Sequence, residues 1–272
     1  MIKSVLAISR PHFWIYLLGP FLVGFVAGAD NSNTFLSPIL WYGLFFFLLP
    51  ANIFLYAVND FFDGDTDIYN AKKSGKESLM RDSERTFYMR ISLISFSFAI
   101  PLFLFFDTQS RLLLTVFFLL SFFYSAPPLR FKAKPFVDFI SNILYILPGV
   151  IIYQQITKES VPPILLIAAG CWAGAMHLYS AIPDIKADLK AGLITTAVLL
   201  GKNSSLVLCM ILWGITAFIA SGISPILSVA WIYPLLVAAV HAEYLPLEKI
   251  YWYFPWINLL LGFLLFIYVA LV

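Results

Sequence analysis

The sequence predicts an all-α integral membrane protein with nine transmembrane helices, on three observations. The 272-residue chain is 61% hydrophobic and 18% aromatic but only 12% charged, whereas a soluble domain carries about a quarter charged residues. Apolar stretches of spanning length, or nearly so, recur at 13–29, 38–58, 87–106, 112–125, 136–155, 161–182, 204–222, 225–241 and 254–272. With the N-terminus inside, only Arg111 and Lys158 of the 17 Lys and Arg fall on the outer side. That bias is what the positive-inside rule demands, and an even number of early spans would destroy it. The net charge of +2 matters less than this distribution.

Each element has its own justification. Met1 to Pro11 holds Lys3 and Arg10 but no small-residue cleavage site, so 13–29 reads as a retained first span, not a signal peptide. The second span runs directly into an acidic stretch. Pro101 in the third, Pro148-Gly149 in the fifth and Pro234 in the eighth mark tolerable kinks. The fourth span is short, and little more than Gly222-Ile223-Ser224-Pro225 separates the seventh from the eighth. Cys171 and Cys209 lie far apart in apolar runs and read as small hydrophobes. No hydrophilic block is long enough for a separate domain, so residues 1–272 form one membrane domain. Acidic motifs end both the second and the sixth spans, in one orientation. That predicts two parallel four-helix repeats, at approximately 1–130 and 131–250, plus a final helix.

The first acidic motif is Asn59-Asp60-Phe61-Phe62-Asp63-Gly64-Asp65-Thr66-Asp67. Carboxylates beside a bilayer are expensive and stay where a cation or a pathway needs them. On a continued helix Asn59, Asp63 and Asp67 share one face over roughly 12 Å of axis. Tyr56 and Asn52 extend that face backwards. The second motif, Asp184-Ile185-Lys186-Ala187-Asp188, again sets two carboxylates at i and i+4, with His177 seven residues before the first. Hard oxygen ligands in this number suit Mg2+, which keeps several waters and completes its shell with substrate phosphates. Basic residues lie close by: Lys72, Lys73, Lys76, Arg81 and Arg85 after the first motif, Lys186 and Lys190 within the second, and Arg130, Lys132 and Lys134 after Pro127-Pro128. Most of these read equally well as topology-setting charges, but the Pro-Pro turn would aim Arg130 and Lys132. Magnesium beside basic residues at a membrane surface describes a diphosphate site.

Other classes compete with that reading. Asp63-Gly64-Asp65-Thr66-Asp67 resembles part of a calcium-binding loop, but lacks its glycine at the right place and its distal Glu. A secondary transporter also places acids within repeats, although it needs polar residues in both halves of the membrane, and here they gather at one surface. A hydrolase of lipid diphosphates has no need of a long acceptor cavity. Nothing points to a nucleic-acid partner.

Asn59-x-x-x-Asp63-x-x-x-Asp67 with Asp184-x-x-x-Asp188, on nine predicted spans, resembles the UbiA superfamily of intramembrane prenyltransferases. Ser9-Arg10-Pro11-His12-Phe13-Trp14 and Tyr124-Ser125-Ala126-Pro127-Pro128-Leu129-Arg130 are similar to that family too, so the resemblance covers nearly the whole chain. It implies nine helices in a ring around a central cavity, capped on the cytoplasmic side by the motif loops. A narrower resemblance joins Met176 to Asp188 and Ala191-Gly192-Leu193-Ile194-Thr195-Thr196 to the lycopene elongase branch, whose members extend a linear carotenoid by a five-carbon prenyl unit. Quinone-pathway members more often carry a charge just before Asp184, where this chain has Ile182-Pro183. An aromatic or quinone precursor or a glycerol-phosphate lipid stays open as acceptor.

The resemblance implies roles. Asn59, Asp60, Asp63 and Asp67 would hold one Mg2+, and Asp184 with Asp188 a second, bridging the diphosphate of an isoprenyl donor, best dimethylallyl diphosphate. Arg130, Lys132, Arg10 and Arg81 would stabilise the departing diphosphate, with Tyr56 and Tyr179 hydrogen-bonded to it. Aromatic walls would shelter the allylic cation. Asp138, Asn142 and Tyr145 form a stripe on the fifth span, and Asp138 or His177 would position groups or remove the final proton. The expected setting is a prokaryotic inner (plasma) membrane, with N-terminus and active site cytoplasmic.

Overall fold

The computed structural model describes residues 2–30, 32–67, 80 and 82–271, which are helical with no strand among them. In chain order the helices are α1 (Ile2–Ile8), α2 (Ile15–Gly28), α3 (Pro38–Leu48), α4 (Pro50–Asp67), α5 (Arg85–Ser97), α6 (Ile100–Phe105) and α7 (Thr108–Phe123). There follow α8 (Val137–Ile140), α9 (Leu147–Thr157), α10 (Pro163–Ala181), α11 (Ile185–Lys190), α12 (Thr196–Ile223), α13 (Ile232–His241) and α14 (Leu247–Leu271). Among the described residues, six segments are long and apolar enough to cross a membrane: Pro11–Gly28, Pro38–Gly64, Arg85–Phe105, Pro163–Lys190, Thr196–Ile223 and Leu247–Leu271. A bent pair, Val137–Tyr145 with Leu147–Thr157, makes a seventh if it is one span, and Thr108–Phe123 and Pro225–His241 are shorter. The nine runs expected from hydropathy thus give six or seven spans of full length.

Thr196–Ile223 (α12) is interrupted at Gly201, whose backbone is left-handed (φ 73°). A short helical piece, capped by the Thr195 side chain accepting from the Val198 N–H, therefore precedes the long helix, which starts close to the apolar run expected from 204. Asp107 likewise caps α7 through the Ser110 N–H.

Contacts divide the chain into two units. The first comprises residues 1–130, 144–160 and 266–272. Its core is aromatic: Phe54 meets Phe118 edge-on at 5.0 Å between centroids, and Phe47 meets Phe117 at 5.6 Å, each such pair adding about 0.5–1.5 kcal/mol. Gly24 of α2 and Gly149 of α9 bring two backbones together, the close crossing that small residues permit between membrane helices. Between α3 and α4 the chain breaks at Leu49, and Pro50 begins the next helix. The Asn52 amide donates to the carbonyls of Phe47 and Leu48, satisfying acceptors that the broken α3 leaves over.

At the far end of this unit Lys158 pairs with Asp107 at 2.9 Å. Burial pushes the Asp107 carboxyl up, but the Ser110 N–H and the Lys158 ammonium outweigh it and hold it below its ordinary value. The folded value is thus the lower one, so the contribution is complete above about pH 4 and disappears as pH falls through the folded value. Asp107→Asn should therefore lower the melting temperature at neutral pH, and the difference should close on acidification towards about pH 3. The effect is below about 1 kcal/mol for so exposed a pair, and thermal melts across pH check it.

The second unit comprises residues 131–143 and 161–265. Here α10 packs along α12, with the Thr216 hydroxyl donating to the Ala168 carbonyl at 2.8 Å. Tyr179, Trp213, Tyr233 and Phe254 fill its centre, with Tyr179 and Phe254 centroids 4.9 Å apart. Tyr233 donates to Asn258 Oδ1 at 2.7 Å.

Candidate active site

Helix α4 stays helical through Asp67, as the spacing of its polar residues predicts. The carboxylate of Asp63 is buried near the end of that helix. Ser125, two residues beyond α7 and itself buried, donates to Asp63 Oδ2 at 2.9 Å and stands 3.4 Å from Asn59 Oδ1. One hydroxyl thus meets oxygens of both residues and holds them on a common side. The sequence reading had no role for Ser125. The signal was a small hydroxyl placed two residues before Pro127-Pro128, where the chain direction is fixed.

Asp60 departs from its expected role. It is 1% exposed, and its Oδ1 lies 2.9 Å from an Arg10 guanidinium nitrogen. Its Oδ1 therefore neutralises an arginine, a partner that the metal-ligand reading did not foresee. Arg10, expected on the diphosphate, makes this ion pair and stacks over the Tyr56 ring at 4.5 Å. Tyr56, also expected at the diphosphate, is buried beneath it. The geometry suits a latch that docks the N-terminal segment onto α4: Arg10 adopts a left-handed backbone (φ 48°), and the indole of Trp14 donates back to Ser9.

In the second unit α10 ends at Ala181, and Pro183 forces a tight turn over Ile182–Asp184 before α11. Asp184 and Asp188 lie half-buried one turn apart. The tight turn breaks the single helical register expected from His177 to Asp184; His177 is half-buried on α10. Lys132 is largely buried in the turn Phe131–Ala133, and Arg130, in the first unit, takes a left-handed backbone (φ 40°) after the prolines.

Two expected site residues serve the fold instead. Tyr179 is wholly buried among aromatic rings, and its hydroxyl donates to the Leu247 carbonyl at 3.1 Å. Asp138 is 1% exposed and accepts from the N–H groups of Phe139 and Thr196 and from the Thr196 hydroxyl. So enclosed, the carboxylate is taken up by the fold's own donors, which is not the setting that the expected role in proton removal called for. Helical periodicity misplaced it because the stretch Ser141–Tyr145 tightens into a 3-10 turn. Arg81, Lys72, Lys73, Lys76 and the side chain of Asp67 lie outside the described residues.

Among the described residues no three His, Cys, Asp or Glu side chains cluster around one point. What the structure does offer is an oxygen-only donor set, Asn59 and Asp63 converging at Ser125, with the Asp67 backbone one turn on. Such a set fits a hard divalent cation and excludes the sulfur- and imidazole-rich ligation of softer metals.

Residues 17–252 match the model of the UbiA prenyltransferase family. The chain is 40% identical over 265 residues to a lycopene elongase/hydratase of Haloarcula japonica, covering 96% of this chain and 89% of that one. It is 38% identical over 266 residues to a lycopene elongase/hydratase of Halobacterium salinarum, covering 96% and 95%. Its fold is similar to that of a UbiA homolog from Archaeoglobus fulgidus solved with DMAPP and Mg2+, with a TM-score of 0.69 at 23% identity over 96% of this chain and 98% of that one. By sequence and by fold, the chain belongs to the UbiA prenyltransferase family.

Proposed function

We propose that this prenyltransferase moves a dimethylallyl group from its diphosphate to the end of a linear carotenoid such as lycopene, with Mg2+ as cofactor. The likeness to lycopene elongase/hydratases along nearly the whole length of both chains carries the choice of acceptor. The oxygen-only donor set supports the choice of metal. Asn59, Asp63 and Asp67 would hold one ion and Asp184 with Asp188 another. Bound there, Mg2+ supplies positive charge against the diphosphate oxygens. Arg130 and Lys132 are the basic residues that orient the diphosphate, while Arg10 secures α4 through Asp60. The C–O bond to the allylic carbon breaks with its electron pair going to the diphosphate. The terminal double bond of the carotenoid then attacks the allylic carbon. The tertiary cation so formed is discharged by losing a proton or by taking up water and then releasing a proton. His177 is the residue we assign to that end of the reaction.

We further infer nine membrane crossings in two four-helix repeats plus α14, with the N-terminus and the acidic motifs cytoplasmic. The six long segments, the bent pair as one and the two shorter apolar helices supply that number. Reporter fusions at each loop test it.

Purified protein in lipid nanodiscs, given labelled dimethylallyl diphosphate, Mg2+ and lycopene, should release diphosphate together with a carotenoid extended by five carbons. Diphosphate release with no extended product would point to hydrolysis. With an aromatic acid supplied alongside lycopene, label in the aromatic acid in place of the carotenoid would overturn the acceptor.

A further inference from the structure

Asp138 is among the most enclosed carboxylates in the second unit, and its partners lead to the second acidic motif. Its Oδ2 accepts from the Thr196 N–H at 2.6 Å; its Oδ1 accepts from the Phe139 N–H at 2.8 Å and from the Thr196 hydroxyl. That hydroxyl accepts in turn from the Phe136 N–H. The carboxylate thus ties the start of α8 to the start of α12 through a threonine that is 0% exposed. An ionised group is tolerated in such a place only when donors surround it.

The neighbouring Thr195 carries the connection onward. Its hydroxyl accepts from the Val198 N–H at 3.2 Å as the cap of α12, and its single proton points to Asp188 Oδ2 at 3.3 Å. The intervening turn is fastened to the same residue, because the Leu193 N–H donates to the Asp188 carbonyl at 2.9 Å. Gly192, with φ of 70°, supplies the left-handed step that this return requires. Asp188 is therefore held at its backbone by Leu193 and at its carboxylate by Thr195, and Thr195 stands where it does because Asp138 grips Thr196.

We propose that Asp138 is a positioning residue for the second acidic motif, orienting the Asp188 carboxylate for a divalent cation through Thr196 and Thr195. This rests on reading Asp184 and Asp188 as a metal-holding pair. Outer partners that orient metal-binding carboxylates typically change metal affinity by 10- to 100-fold when removed.

The test is the melting temperature of the full-length protein in nanodiscs, without substrate, over a Mg2+ titration. Mg2+ should raise the melting temperature of the unsubstituted protein along a saturable curve. Asp138→Asn and Thr195→Val should each shift the midpoint of that curve upward by about 10-fold or more. Thr195→Ser, which keeps the hydroxyl and the cap, should stay within about 2-fold of the unsubstituted protein. Lower melting temperatures with unchanged Mg2+ midpoints in both Asp138→Asn and Thr195→Val would overturn the proposal, since a merely structural clasp predicts that result. Should Asp138→Asn fail to fold, the Thr195→Val and Thr195→Ser pair decides alone. A flat titration of the unsubstituted protein would overturn the metal reading of the motif and the proposal with it. A normal titration matched by both variants would overturn only the proposal.

Discussion

Asp63→Asn should lower prenyl transfer by at least about 10²-fold while leaving the melting temperature within a few degrees. The substitution keeps the volume of the side chain and an oxygen for the Ser125 hydroxyl, which donates at 2.9 Å. What it removes is the negative charge, the property that the proposed ion requires. Asp60→Asn gives the internal contrast. Asp60 pairs with Arg10 at 2.9 Å, and the arginine side chain is only 13% exposed, so the neutral amide removes a counter-charge held directly against a largely buried cation. Breaking a buried pair in this way typically costs about 3–5 kcal/mol. Asp60→Asn should thus lower the melting temperature sharply, and the activity lost should follow the folded fraction. Product formation and thermal melts measured on both variants separate the two outcomes. Equal activity losses at equal stability would restore Asp60 to the ligand set.

The second large effect is expected where α2 crosses α9. A Cβ at Gly24 would stand 2.1 Å from the Gly149 carbonyl oxygen, and one at Gly149 would stand 2.4 Å from the carbonyl oxygen of Pro20. Both obstacles are backbone and cannot swing aside. Gly24→Ala should therefore destabilise the protein by at least about 1–3 kcal/mol, the usual cost of overpacking. Gly214 and Gly262 meet nothing within 4 Å, and alanine there should be neutral or gain up to about 1 kcal/mol of helix propensity. Melting temperatures of Gly24→Ala and Gly214→Ala, measured in the same detergent, decide the matter. A tolerated Gly24→Ala would mean that the two helices cross farther apart.

Local periodicity was enough for some of this and not for the rest. The shared face of Asn59 and Asp63 was legible because four residues on a helix return to one side. Membrane character was legible because so few charges are available. Ser125 was not legible, because its value lies in a contact with a helix some sixty residues earlier, and no local pattern encodes that. Asp138 was misread for a different reason. Its spacing to Asn142 and Tyr145 fits an α-helix, but Ser141–Tyr145 winds more tightly, and its partner Thr196 comes from another element. The pair Thr195-Thr196 ahead of an apolar run was the available clue, since a hydroxyl there caps a helix. Tyr179 failed similarly: it shares the second motif's stretch, yet the aromatic packing of the second unit claims it.

Because the hydroxyl that gathers Asn59 and Asp63 belongs to the segment after α7, the chemistry of this helix end is not portable. Transplanting residues 59–67 into an unrelated membrane helix would carry over the letters of the motif without the strut that shapes it. Any engineered transfer of the activity has to bring the 124–130 turn along as a second, inseparable piece.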